Sequence, residues 1–318
     1  FETLCRSLGE ARQSAFQLLH SAAATGGYIR FPKTVAEGAW NHRTETWDAD
    51  DAVALLHMQA AIAARDGDTQ RSVQAISTML AFAKATQFEV ASPAFFHHLR
   101  VYMRASHAIT SSAPETWTDN NAEAIQHALE NCDVDRSWQQ VAPWYLCALN
   151  QLEVLNFYGI STQSTPESWV ERYDHRWNAV TKILALSEQS RLHAFCYRPA
   201  TSLVPNERGI ANFARVETRR RCAIVILAMV RHRLQHGSFP ETMEQIAADH
   251  FPNGRPADPW LEKQHIKFVS MPNRGYVIYG VGVDGIDNGG AIAPKSDGSP
   301  ATDVGFEWLP IATDRAPN

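Results

Sequence analysis

Residues 208–236 constrain this chain more than any other stretch. They read as one long helix, charged in its first half at Arg215, Glu217, Arg219, Arg220 and Arg221, with an apolar middle, AIVILAMV, at 223–230. A helix segment that is hydrophobic all round must be buried. Eight residues are too few for a bilayer, which takes roughly 20, so the burial must be inside protein and the chain as given is expected to be soluble. Gly237 stands where a helix C-cap is wanted. The helix is expected to pack against a helical region before it and to form one layer under a small sheet after it.

What precedes that helix is helical in texture. Residues 1–24 carry apolar positions at Leu4, Leu8, Phe16 and Leu18, and Gly26-Gly27 ends them. A second helix is expected from Asp48 or Asp50 as N-cap. Gly67 breaks it, Asp68 caps the next, and Val73, Ile76, Met79, Leu80 and Ala83 share one face, giving an antiparallel pair. Further helices are expected from Ser92-Pro93, over 120–131, over 136–158, and from Pro166 to about Ser190. Residues 194–207 read as a loop. No strict repeat period runs through these hairpins.

After about Phe251 prolines and glycines multiply and β-branched residues alternate. Residues 265–271 and 275–281 read as two strands, and Val304–Leu309 as a third. A short helix is expected to begin at Pro240. The fold class is therefore mostly α with a small α+β C-terminal unit: helical hairpins over 1–205, then a long helix on an antiparallel sheet over 206–318.

Composition excludes more than it assigns. The 318 residues are 45% hydrophobic, enough for a sizeable core, and the net charge of −5 leaves no basic stripe for nucleic acid. The five cysteines, Cys5, Cys132, Cys147, Cys196 and Cys222, form no CxxC pair, so neither a disulfide framework nor a zinc site is indicated.

The segment GYVIYGVGVDGIDNGG runs a strand straight into two aspartates, an asparagine and several glycines. Asp-Gly and Asn-Gly build tight turns. The same oxygens could surround a hard cation. Both readings stand on the residues alone. Gly285, Gly289 and Gly290 are suited to positive φ.

Four motifs recur in order: RHRLQHGSFPETMEQI, ADPW, GYVIYGVGVDGIDNGG and TDVGFEW. With them the segment from about Arg219 to Leu309 resembles the C-terminal globular part of the major pseudopilin of type II secretion. The whole chain also looks like a group of planctomycete-type envelope proteins that place a helical domain before such a tail, usually behind an N-terminal membrane anchor. Two departures stand out. About 200 residues precede the long helix, and 18 residues lie between Asp284 and Asp303. The resemblance thus implies a fold and an ion site, not a role in pilus assembly. It implies Ca²⁺ held by the carboxylates of Asp284 and Asp303 and the main-chain carbonyl of Val281. Asp287 and Asn288 are further oxygens supplied locally.

Other candidates are weaker in pattern. His97, His98 and His107 fall on or near one helix and His57 on another, but His97 and His98 point about 100° apart. Arg198, Glu207 and Arg208 could hold an anion, and Arg219–Arg221 reads as a solvated helix face. Trp138 and Trp144 share no stripe. The expected function is a non-enzymatic extracytoplasmic binding or scaffold protein, membrane-anchored in its full-length form. It would take a protein or peptide partner in the groove of its hairpins, with no nucleic acid, and calcium would stabilise its tail. Two alternatives remain. One is an enzyme with a site between helical domain and tail, using His97, His98 and Arg198. The other is an accessory subunit of a secretion apparatus.

Overall fold

The computed structural model describes residues 13–26, 43–86, 92–131, 207–261, 264–271, 275–282, 284–293 and 301–310. Its helices are α1 (Gln13–Thr25), α2 (Arg43–Arg65), α3 (Thr69–Thr86), α4 (Ser92–Ser111), α5 (Asp119–Glu130) and α6 (Glu207–His236). Strands β1 (Lys267–Met271), β2 (Gly275–Gly280) and β3 (Val304–Trp308) follow. The protein is mostly α with a small antiparallel sheet at its C-terminal end, as its sequence leads one to expect. The helices expected over 136–158 and 166–190 lie outside the described residues, as do Trp138, Trp144 and residues 194–206 of the expected loop, whose last residue, Glu207, already begins α6.

The α2–α3 corner forms as the local chemistry dictates. Gly67 takes φ 75, a left-handed conformation that costs glycine little. Asp68 then caps α3, its Oδ1 accepting from Arg71 N at 3.0 Å. Ile76, Met79, Leu80 and Ala83 are buried on the face their spacing predicts. The start of α2 differs from expectation. Helix begins at Arg43, ahead of Asp48 and Asp50, and Asp50 pairs with Arg100 of α4 instead of capping. Because Asp50 and Arg100 meet, α2 and α4 lie side by side, as the first and third members of a hairpin series do.

Helix α6 is the shared wall. It packs on α4 and α5 on one side and on β2 and β3 on the other. Residues 222–230 are all buried, which accounts for the absence of any polar face there. Each large side chain among them contributes about 1.5–3 kcal/mol of burial. Among the described residues no helix is long and apolar enough to cross a membrane. One hydrophobic cluster runs without a break from Phe16 through α6 to Trp308. The boundary expected near residue 205 falls within residues 132–206, outside the described set.

Beyond Gly237, which ends α6 at φ 81, the short helix expected from Pro240 is replaced by two 3₁₀ turns, Met243–Gln245 and Ala248–His250. Gln245 folds back so that its Oε1 accepts from the backbone N–H of Glu241 and Thr242, closing the segment within one turn. The sheet has the order β1-β2-β3, antiparallel throughout. Its register places Phe268, Ile278 and Phe306 on the face toward α6 and Lys267 beside Tyr279 on the other. Phe239 meets Trp308 and Tyr276 at ring distances of 5.2 and 5.7 Å, sealing the end of this layer.

Candidate functional site

The C-terminal loop lies over the sheet face that α6 leaves open. Lys267 and Tyr279 are neighbours there, and both reach Asp287: Lys267 Nζ donates at 2.7 Å and the Tyr279 hydroxyl at 3.1 Å. The Gly289 N–H donates to the same carboxylate at 3.0 Å. The bond from Lys267, with that N–H, holds the Asp287 carboxyl below the usual range. Asp303 is 1% exposed and accepts three backbone N–H groups, from Asn288 at 3.3 Å, Gly290 at 2.8 Å and Ala291 at 3.0 Å. Asp284 is exposed and accepts from Ile286 N and from the Asn288 side-chain amide at 3.1 Å.

All five expected ligands therefore sit in this loop or at its root, but they do not face one centre. Asn288 stands between Asp284 and Asp303 and donates to both. Asp287 turns away to Lys267. Val281, whose carbonyl was the expected ligand, is fixed at the root of the loop by its N–H, which donates to Asp258 at 2.8 Å. Gly285, Gly289 and Gly290 do take positive φ, as expected. The backbone near Gly289 and Gly290 turns N–H groups toward Asp303, a nest for an anion. Calcium asks for about 6–8 oxygens around it, and these oxygens face N–H donors and an ammonium. The residues as arranged do not fit such a cage. Among the described residues no three His, Cys, Asp or Glu side chains gather to hold a metal.

At the root of the loop, Asp258 of the Asp-Pro-Trp turn is fully buried. It accepts from Trp260 N at 2.9 Å and from Val281 N. Burial outweighs those bonds and pushes its carboxyl up to about 6. Trp260 is anchored by its indole N–H on Thr218 Oγ1 at 2.9 Å, which fixes the turn on α6. On the same helix the arginine run is not a solvated face: Arg220 and Arg221 are each 7% exposed and share Glu217. Burial drives Glu217 upward, but the two guanidinium groups outweigh it and bring it to about 2.

A second site lies among the helices. A groove of about 560 Å³ runs where α1, α2 and α3 meet, lined by Gln13, Gln17, Gln59, Gln70 and Gln74. Phe16 and His20 form part of its wall, and Asp68 and Arg71 stand at its rim. Gln59 is 6% exposed, and its Oε1 has no hydrogen-bond partner; neither has His20 Nε2. Gln59 is nonetheless close enough to favour the charged imidazole, while burial, the larger effect, keeps His20 below its ordinary range. His20 Nδ1 is held by Thr78 Oγ1 at 2.7 Å, so α1 is registered on α3.

The sequence held a signal for this groove: Gln13 with Gln17, and Gln70 with Gln74, are i,i+4 pairs on two separate helices. Only the packing of those helices brings the pairs together with Gln59. His97 and His98 lie on α4 with side chains outside the described set, and Arg198 is outside it altogether. Compared with known proteins, the chain matches no family model, no curated protein sequence and no solved structure.

Proposed function

We propose that this is a non-enzymatic binding or scaffold protein that takes an extended peptide segment of a partner in the glutamine groove. The observation that carries the reading is five carboxamides converging on one groove. A carboxamide offers a donor pair and an acceptor, which matches the peptide unit and is indifferent to side-chain charge. The groove walls belong to packed helices, so they are rigid enough to meet a ligand without ordering first. The extracytoplasmic, membrane-anchored location belongs to the same proposal and rests on the resemblance of the whole chain to planctomycete-type envelope proteins. Calcium has no step in it, because Lys267 and the loop's own N–H groups already face the carboxylates.

The test is side-chain NMR. A panel of uncharged, extended hexapeptides is titrated into the protein while the glutamine NH₂ resonances are followed. Shifts confined to Gln13, Gln17, Gln59, Gln70 and Gln74, and lost in the Gln70→Ala, Gln74→Ala double variant, are the expected result. If no peptide in the panel moves these resonances at millimolar concentration, the groove is not a peptide site.

A further inference from the structure

Helices α2 and α4 run side by side, and their facing rows can be read in step. Asp50 meets Arg100. Seven residues further along each helix, about two turns, His57 meets His107, with ring centroids 5.9 Å apart and planes at 74°. An opposite-charge pair has given way to two imidazoles. Arg104, between Arg100 and His107 on α4, is close enough to depress the His57 pKa, after burial and His107 itself.

The row continues across the core wall. His107 stands edge-on to Phe306 of β3 at 6.1 Å, and the guanidinium of Arg219 from α6 lies over the same ring at 5.9 Å. Arg219 Nε is buried and has no hydrogen-bond partner. Among the described residues, the carboxylates nearest in sequence to these groups are committed elsewhere or point away. Asp50 is engaged with Arg100, and Glu217 with Arg220 and Arg221. Glu307 follows Phe306 on β3 and so points to the opposite face of the sheet. Arg215 adds further positive charge beside Arg219.

His107 and Arg219 thus meet at one aromatic ring, with His57 packed on His107 and Arg104 near His57, and like charges held together destabilise one another unless an anion joins them. We propose that His57, Arg104, His107 and Arg219 form a binding site for an oxyanion, a phosphate or carboxylate group, at the junction of α2, α4, α6 and β3. Guanidinium and imidazolium N–H groups are the donors suited to such an oxygen cluster. This site lies outside the glutamine groove and does not depend on it.

The experiment uses inorganic phosphate and acetate, each against chloride at matched ionic strength, on the whole protein. Melting temperature and the ring-proton resonances of His57 and His107 are the readouts. Phosphate or acetate should raise the melting temperature and move both histidines toward their charged form, and the stronger anion names the class. Arg219→Gln should weaken that response by about tenfold, the loss expected for one charge-assisted contact. His107→Gln, at an exposed position, should weaken it as well without threatening the fold. Neither anion differing from chloride would overturn the proposal, and so would an equal response in wild type, Arg219→Gln and His107→Gln.

Discussion

The C-terminal loop and the glutamine groove treat buried polar atoms in opposite ways. In the loop, Asp303 is almost wholly buried and each of its oxygens accepts at least one N–H. In the groove, Gln59 is almost as deeply buried and its oxygen accepts none. A buried acceptor without a donor costs about 1–3 kcal/mol, so the first arrangement holds a fold together and the second weakens it. A satisfied network explains its own presence. An acceptor short of a donor leaves room for a ligand to supply one, and this is what favours the groove over the acidic loop in the proposed function.

That contrast breaks most sharply where pairing is deepest. Glu217→Ala leaves Arg220 and Arg221 buried without their shared carboxylate. The loss should be about 3–5 kcal/mol in urea unfolding, and a loss under about 1 kcal/mol would mean the pair is not closed as described. Asp303→Ala removes the acceptor of three N–H groups and should cost about 2–4 kcal/mol, with faster hydrogen exchange at Gly290 and Ala291. Unchanged exchange at those two amides would show that Asp303 does not close the loop.

A smaller effect comes from pH. Asp258 is raised to about 6 by burial, so the folded protein keeps that proton at a pH where the unfolded chain has lost it. Its contribution is full below about pH 4 and disappears as pH rises through about 6, roughly 2–3 kcal/mol at most. Glu217 runs the other way: with a folded pKa of about 2, its contribution is present above about pH 4.5 and disappears as pH falls toward 2. Urea midpoints should therefore rise from pH 7 toward pH 4 and fall below it. Asp258→Asn should flatten the upper limb, and a wild-type profile already flat between pH 7 and 4 would refute the assignment. The smallest expected effect is none. A chelator, or added calcium, should leave the melting temperature within about 1 °C, because the loop carries its own donors. A chelator-induced drop of several degrees would restore the cation and remove the contrast altogether.

How much of this was legible in the sequence varies by residue. Gly67-Asp68, the apolar face of α3 and the C-cap at Gly237 follow from local rules, and each is where those rules put it. The start of α2 was missed because Asp50 has a stronger use than capping, as the partner of an arginine some 50 positions away. The arginine run on α6 was misread as solvated because an i,i+3 and i,i+4 set around Glu217 looks the same on a surface helix as on a buried one. Gly282 could not be understood at all from its neighbours: a Cβ there would lie 1.7 Å from the Thr302 carbonyl oxygen, and Thr302 is remote in sequence.

Taken alone, the sequence determined the element types, the deep burial of the middle of α6 and the left-handed glycines of the C-terminal loop. Those depend on side-chain period and on backbone sterics over a few residues. The tertiary structure decided which polar groups meet. It set Asn288 between two carboxylates, Lys267 on Asp287, five glutamines around one groove, and His107 with Arg219 against Phe306. Such meetings depend on where separate elements pack, and electrostatic and hydrogen-bond energies change over ångströms that no local pattern encodes.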